Sequence, residues 1–239
     1  LLFPMVNLHR LQQMFSDLNR FVHKTSKSLD ILYDHRDSLS SLAMEISEAV
    51  EVFQGMVDKE RITLAVRSPK LFTLSMLYDA NAELFGGSVE KKGTPEYQAD
   101  LRKAIEYWNE LAEIIPDWQK VKDGHMLATQ LRQEKINAHS VVIRALGALG
   151  KLLFEERPSD WKYALKALKD IDWRKAKGDK VNPQWENVCM VAGSVVSNRQ
   201  ARAATLAALK QFVGVGLGKN EDRSSSKAPR VSKKQPQLV

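Results

Sequence analysis

Apolar residues in this chain recur at three- and four-residue spacings and almost nowhere in strict alternation. That periodicity confines the chain to a helical architecture, because only a repeat of about 3.6 residues returns such positions to one face. The segment "GTPEYQADLRKAIEYWNELAEIIPDW" is the clearest case. Thr94 stands where an N-cap belongs, Pro95 takes the first helical position, and Tyr97, Leu101, Ile105, Trp108, Leu111 and Ile115 share one face until Pro116. "SPKLFTLSMLYDANAELFGG" repeats the grammar, with Ser68 as cap, Pro69 first and Gly86-Gly87 as the stop.

The same reading extends along the chain. Asn7 predicts a cap for a helix carrying Leu8, Leu11, Phe15 and Leu18, and Ser28 to Tyr33 reads as one or two helical turns. Asp37 predicts the cap of a helix with Leu39, Leu42, Ile46 and Ala49 or Val50 inside. A long helix over 138–155 buries Val142, Ala145, Leu149 and Leu152 or Leu153. Ser159 or Asp160 caps another, with Ala164, Leu165 and Leu168 inside. The last starts near Ser197-Asn198 and runs to about Phe212, with Ser197 and Gln200 at capping-box spacing. Strand signals are few: Leu2–Val6, and "ERITLAV" at 60–66, which is a short strand or an irregular crossing. The expected fold is mainly α, a multi-helix domain with a residual short strand at the N-terminus and a disordered basic C-terminal tail.

Apolar residues make up 44% of the 239 positions and charged residues 27%, enough apolar content for a sizeable core. No window approaches 18 uninterrupted apolar residues, so no membrane span is expected. "LLFPMVNLHR" has neither a basic lead-in nor a small-residue cleavage site, so no secretory signal is expected. Cys189 is the single cysteine; with no intrachain disulfide available, a reducing cytoplasm is the expected location. Its place in the apolar run "VCMVAG" predicts a buried, inert thiol.

Net charge is +7, and its distribution is uneven. The segment 219–239 carries +4, and the segment Lys162–Lys180, with seven Lys or Arg and three Asp, carries another +4. The remainder is close to neutral. Such local basic character suits contact with a polyanion better than it suits general solubility.

Candidate chemistry is sparse. "GVGLGKN", Gly214–Asn220, resembles a phosphate loop, but Val213 and Asn220 occupy two of its defining positions and the glycines follow a helix. A helix C-cap is the better reading. His9, His23, His35, His125 and His139 show no zinc-ligand spacing, and neither a metal nor any other cofactor is expected. His139 reads as a satisfied core or interface histidine. Asp34-His35-Arg36-Asp37 gathers acids, a base and a cation, yet Asp37 has a cap to make and Asp34 beside Arg36 reads as a local ion pair.

The basic segments are more informative. "HKTSKS", 23–28, sets Lys24, Ser26, Lys27 and Ser28 before a helix start, where hydroxyls, ammonium groups and backbone N–H groups can meet one phosphate. A solvated loop is the plain alternative. Lys162, Lys166 and Lys169 share one helix face, and Arg174, Lys175, Lys177 and Lys180 follow, a pattern that suits backbone reading of nucleic acid. Trp161 and Trp173 read as core anchors. The last helix adds Arg199 and Arg202, and its Asn198 and Gln200 have side chains suited to base edges.

"LQQMFSDLNRFVHKTSKSLDILYDHRD" resembles a segment of the bacterial DNA sulfur-modification family DndB, which carries a "DGQHR" motif early in the chain. Phe15, Asp17, Leu18, Asn19, Lys24, the run 26–29 and the run 32–37 match that family's pattern. "RSPKLFTLSMLYDA" resembles its next block, and "AHSVVIRALGALG", "WENVCMVAG" and "NRQARAATL" follow in the same order to about 217. The pentapeptide itself is absent here; Asp123-Gly124-His125 lies in a turn between helices, so the motif is expected upstream of Leu2.

The resemblance implies residues 1–37 as the end of a DGQHR, ParB-like α/β domain and a connecting loop, 38–217 as a helical domain and 218–239 as the tail. It implies a regulator that binds double-stranded DNA near the modification genes and represses them, rather than an enzyme. The expected DNA contacts are Lys24, Ser26, Lys27, Ser28, Arg36, Lys162, Lys166, Lys169, Arg174, Lys175, Arg199 and Arg202. A homo-oligomer without membrane contact is expected, with other DNA-modification proteins as further partners. The alternatives are a nucleotide hydrolase or nuclease whose catalytic motif lies upstream, and a scaffold of the modification machinery.

Overall fold

The computed structural model describes residues 26–33 and 37–216. The expected strand at Leu2–Val6, the Asn7-capped helix, Lys24, Arg36 and the tail beyond 216 lie outside the described residues.

The described chain is mainly helical. After α1 (Lys27–Tyr33) and α2 (Ser38–Ala49) comes a 3₁₀ turn, Glu51–Phe53. Strand β1 (Val57–Asp58) pairs in parallel with β2 (Phe72–Thr73), which runs straight into α3 (Leu74–Phe85). Helices α4 (Pro95–Ile114), α5 (Asp117–Lys122) and α6 (Ala128–Glu134) lead to α7 (Ser140–Glu156). Helix α8 (Trp161–Leu165) continues as a 3₁₀ turn, Lys166–Asp170. Two antiparallel hairpins follow, β3 (Ala176–Lys177) with β4 (Lys180–Val181) and β5 (Met190–Val191) with β6 (Ser194–Val195), before α9 (Arg199–Val213).

Local chemistry sets most of these ends. The Asp37 carboxylate accepts from the Leu39 and Ser40 amides at 3.1 and 3.2 Å, and the Thr94 hydroxyl accepts from the Tyr97 amide at 3.2 Å. Asn198 caps α9 by accepting from the Ala201 amide at 2.8 Å; the cap is this asparagine, one residue after Ser197. Gly86 and Gly214 end α3 and α9 in the left-handed conformation that a side chain disfavours. "GVGLGKN" therefore begins as a C-cap.

One helix start differs from expectation. Ser68 and Pro69 do not open α3. The Ser68 hydroxyl accepts from the Lys70 amide at 3.2 Å, closing a local turn, while Arg132 donates to the carbonyls of Ser68, Val66 and Lys70. That grip holds the segment irregular, so α3 starts at Leu74 with the Thr73 hydroxyl accepting from the Met76 amide at 3.2 Å.

Helix α7 is the spine. Its most extensive contacts are with α3, then with α9. Val142, Ala145, Leu149 and Leu153 are buried, as the periodicity predicts. Close approach to α3 depends on glycine: a Cβ on Gly147 would collide with the Ala80 backbone, and one on Gly150 with Leu84 and Tyr107. Beside this spine lies an aromatic layer in which Phe53 meets Phe72 and Trp108 edge-on, at centroid distances of 5.1 and 5.6 Å. Trp161 packs on Phe154, and Trp173 stacks on Trp185 at 5.6 Å, so both tryptophans are core anchors. Cys189 is buried and burial pushes its thiol up to about 11, leaving it protonated and unreactive at neutral pH.

No helix among the described residues is long and apolar enough to cross a membrane. Among the same residues no three His, Cys, Asp or Glu side chains gather as a metal site.

Candidate nucleic-acid interface

Ser26, Lys27 and Ser28 open α1, and each finds a partner in the protein, though Lys27 stays exposed. The Ser26 hydroxyl accepts from the Leu29 amide at 3.2 Å and donates to the Glu60 carbonyl. Ser28 is fully buried; its hydroxyl donates to the Arg61 carbonyl at 2.8 Å and accepts from the Ser75 amide at 3.3 Å. Lys27 meets the Asp79 carboxylate and lies over the Tyr78 ring. This stretch therefore joins α1 to α3 and to the 59–71 loop. The hydroxyl of Ser28 has both its partners in the protein, which its sequence surroundings did not reveal.

The cations of Lys162–Lys180 divide into two groups. Lys162 reaches Glu106 at 2.5 Å and Glu110 at 3.1 Å on α4. Arg174 forks onto Asp172 with two bonds of 2.8 Å, and that hydrogen bonding holds the Asp172 carboxyl below its ordinary range. Lys175 points inward, donates to the Arg132 carbonyl at 2.7 Å and is lowered by burial. Lys166, Lys169, Lys177 and Lys180 form the second group: all are exposed, and none has an ion pair with a described carboxylate. Lys177 and Lys180 stand directly opposite each other across the β3–β4 hairpin, a like-charge pair that costs stability unless an anion offsets it. The spacing of Lys162, Lys166 and Lys169 predicted one continuous face; the α-helix gives way to a 3₁₀ turn at Lys166, and only the last two remain uncommitted.

At the start of α9, Arg199 and Gln200 are exposed, while Asn198 spends its side-chain oxygen on the cap. Arg202, one turn on, faces a cleft that sequence reasoning missed. The cleft has a volume of about 470 Å³ and forms where α3, α7 and α9 begin. Arg132, Arg144, Arg202, His139, Ser140 and Ser197 line its polar side. No local motif marks it, because its residues come from four separate stretches of chain.

His139 precedes α7. Burial, then the nearby Lys175 charge, depresses it to about 4, so the ring is neutral at pH 7. Its Nε2 lies 2.9 Å from the Arg132 carbonyl, and since a carbonyl only accepts, that nitrogen carries the proton. It is thus a satisfied interface histidine.

A family model described as DndB, DNA-sulfur modification-associated, matches residues 1–216. No curated protein and no solved structure matches the chain.

Proposed function

The chain belongs to the DndB family of DNA-sulfur modification-associated proteins, and from that premise we propose that it is a DNA-binding regulator that represses a bacterial DNA-modification gene cluster. The observation that carries the reading is the exposed quartet Lys166, Lys169, Lys177 and Lys180, none of them in a salt bridge with a described carboxylate, beside Lys162 and Arg174, which are paired with carboxylates, and Lys175, which donates to a carbonyl. Exposed lysines facing a duplex displace condensed counterions, which gives sequence-independent affinity and a steep dependence on salt. Paired cations contribute less, since a phosphate must first displace a carboxylate. Arg199 and Gln200 at the exposed first turn of α9 supply side chains suited to base edges. Double-stranded DNA is the proposed partner, and a homo-oligomer would match a repeated operator.

Fluorescence anisotropy of the chain on DNA from upstream of its own gene cluster, and on scrambled DNA, tests this. A preference for the cluster DNA that persists at near-physiological salt is the expected outcome. Equal binding to both, erased by salt, would leave a basic surface without a regulator's specificity.

A further inference from the structure

The cleft at the head of α7 has the chemistry of an anion receptor. The first turns of three helices line it: Ser75 and Met76 from α3, Ser140 and Arg144 from α7, Ser197 and Arg202 at α9. Helix N-termini carry partial positive charge, so three together favour a negative ligand, although the Ser75 and Met76 amides are taken by the Ser28 and Thr73 hydroxyls and the Ala201 amide by Asn198. Thr73 and Asn198 cap α3 and α9 through their side chains, whereas no side chain caps α7. Ser140 and Ser197 meet hydroxyl to hydroxyl at 3.0 Å, and both line the cleft.

The charges point the same way. Asp79 is the one lining carboxylate among the described residues, and it is shared by Lys27 and by Arg144 at 3.2 Å. Arg144 also reaches Glu83 at 2.8 Å, so these four charges balance. The Arg144 Nε is buried, with no hydrogen-bond partner among the described residues. Arg132 spends its guanidinium on backbone carbonyls. Arg202 is left as a guanidinium with no described carboxylate partner. Apolar side chains also line the cleft, Ile62, Leu64 and Met76 among them, and Ile62 is 57% exposed. The volume falls within the range of small-molecule sites.

We propose that this cleft binds a nucleoside phosphate. The phosphate sits between Arg202, the Ser140 and Ser197 hydroxyls and the start of α7. The nucleoside lies against Ile62, Leu64 and Met76. Two sources offer this chemistry, a free nucleotide and the 5′-phosphorylated end of a DNA strand. The cleft shares no lining residue with the lysine quartet, so loss of duplex binding through those lysines and loss of nucleotide binding here are distinguishable, although Arg199 and Gln200 lie on the same helix start as Ser197 and Arg202.

The test is calorimetric titration of the whole chain with inorganic phosphate, with each free deoxynucleoside 5′-monophosphate, and with a short 5′-phosphorylated single strand beside its unphosphorylated form. The expected result is saturable binding of a nucleotide tighter than that of inorganic phosphate. Tighter binding of the phosphorylated strand than of free nucleotides would identify the strand end as the source; the reverse would identify a free nucleotide. Arg202→Gln should weaken binding about tenfold or more, the value of a charge-assisted contact, and Arg202→Lys should restore part of it. Ser197→Ala, which leaves the Asn198 cap in place, should weaken binding with the fold unchanged by circular dichroism. Failure of every nucleotide and strand to bind above inorganic phosphate overturns the proposal, as does unchanged affinity in both Arg202→Gln and Ser197→Ala.

Discussion

At the scale of single residues, burial decides what a polar group in this protein can do. Ser28 sits among residues that read as a phosphate-facing loop, yet its hydroxyl is enclosed and has one donor and one acceptor partner in the protein. Lys175 lies in a strongly basic stretch of sequence and is turned inward to a carbonyl. His139 gives the sharpest consequence. Its folded value is near 4 against an ordinary 6.5, so between those limits the unfolded chain holds a proton that the folded chain does not. Stability should therefore fall as pH drops from 6.5 to 4, by about 3–3.5 kcal/mol, with no further loss from this group below 4. His139→Gln keeps a donor for the Arg132 carbonyl and removes the titration. Urea midpoints at pH 7 and pH 4.5 should converge in this variant relative to the parent chain. Equal acid sensitivity in both would show that the ring does not govern the transition.

At the scale of elements, helix α7 shows propensity giving way to packing. Glycine is a weak helix former, and replacing it by alanine in an open helix stabilises by about 0.5–1 kcal/mol. Gly147 faces the backbone of α3, where any Cβ meets the Ala80 carbonyl carbon and oxygen. Gly147→Ala is therefore expected to destabilise by about 2 kcal/mol or more, because two packed helices must move apart. Thermal unfolding decides the sign: a rise in midpoint would mean that α3 and α7 do not need this contact. Legibility in the sequence tracks the same distinction. The caps at Asp37 and Thr94, the Gly86 stop, the buried stripes of α2 and α7 and most of that of α4 were legible, since each depends on residues three or four apart; in α4, Leu101 and Ile105 are only half-buried, and Ala104 and Tyr107 are enclosed instead. The start of α3 was not. Ser68-Pro69 has every local mark of a helix opening, and Arg132, 64 positions further along, overrides it.

At the scale of the whole molecule, cations sort by what the fold brings to them. The basic segment carries net +4, but Lys162 and Arg174 lie against carboxylates and Lys175 against a carbonyl. Lys166, Lys169, Lys177 and Lys180 keep their charge at the surface. Replacing these four by Gln should flatten the dependence of duplex affinity on salt, by about 0.9 in logarithmic slope for each lysine that contacts phosphate. Replacing Lys162 and Arg174 should change that slope far less. Anisotropy titrations across a salt series measure both, and equal slopes for the two variants would remove the quartet from the interface.

Helical character, the ends of most helices and the faces they bury follow from residue spacing alone. The sequence also carried the DndB family pattern and the segments rich in cations. These properties are written in spacings of a few residues, where backbone geometry and capping act without reference to the rest of the chain. Only the tertiary structure decided which cations remain uncommitted, that Ser28 is enclosed, and that the starts of α3, α7 and α9 converge on one cleft. The Arg174–Asp172 pair apart, those outcomes depend on the approach of groups dozens of positions apart, and neutralisation, burial and enclosure arise only when packing brings them together.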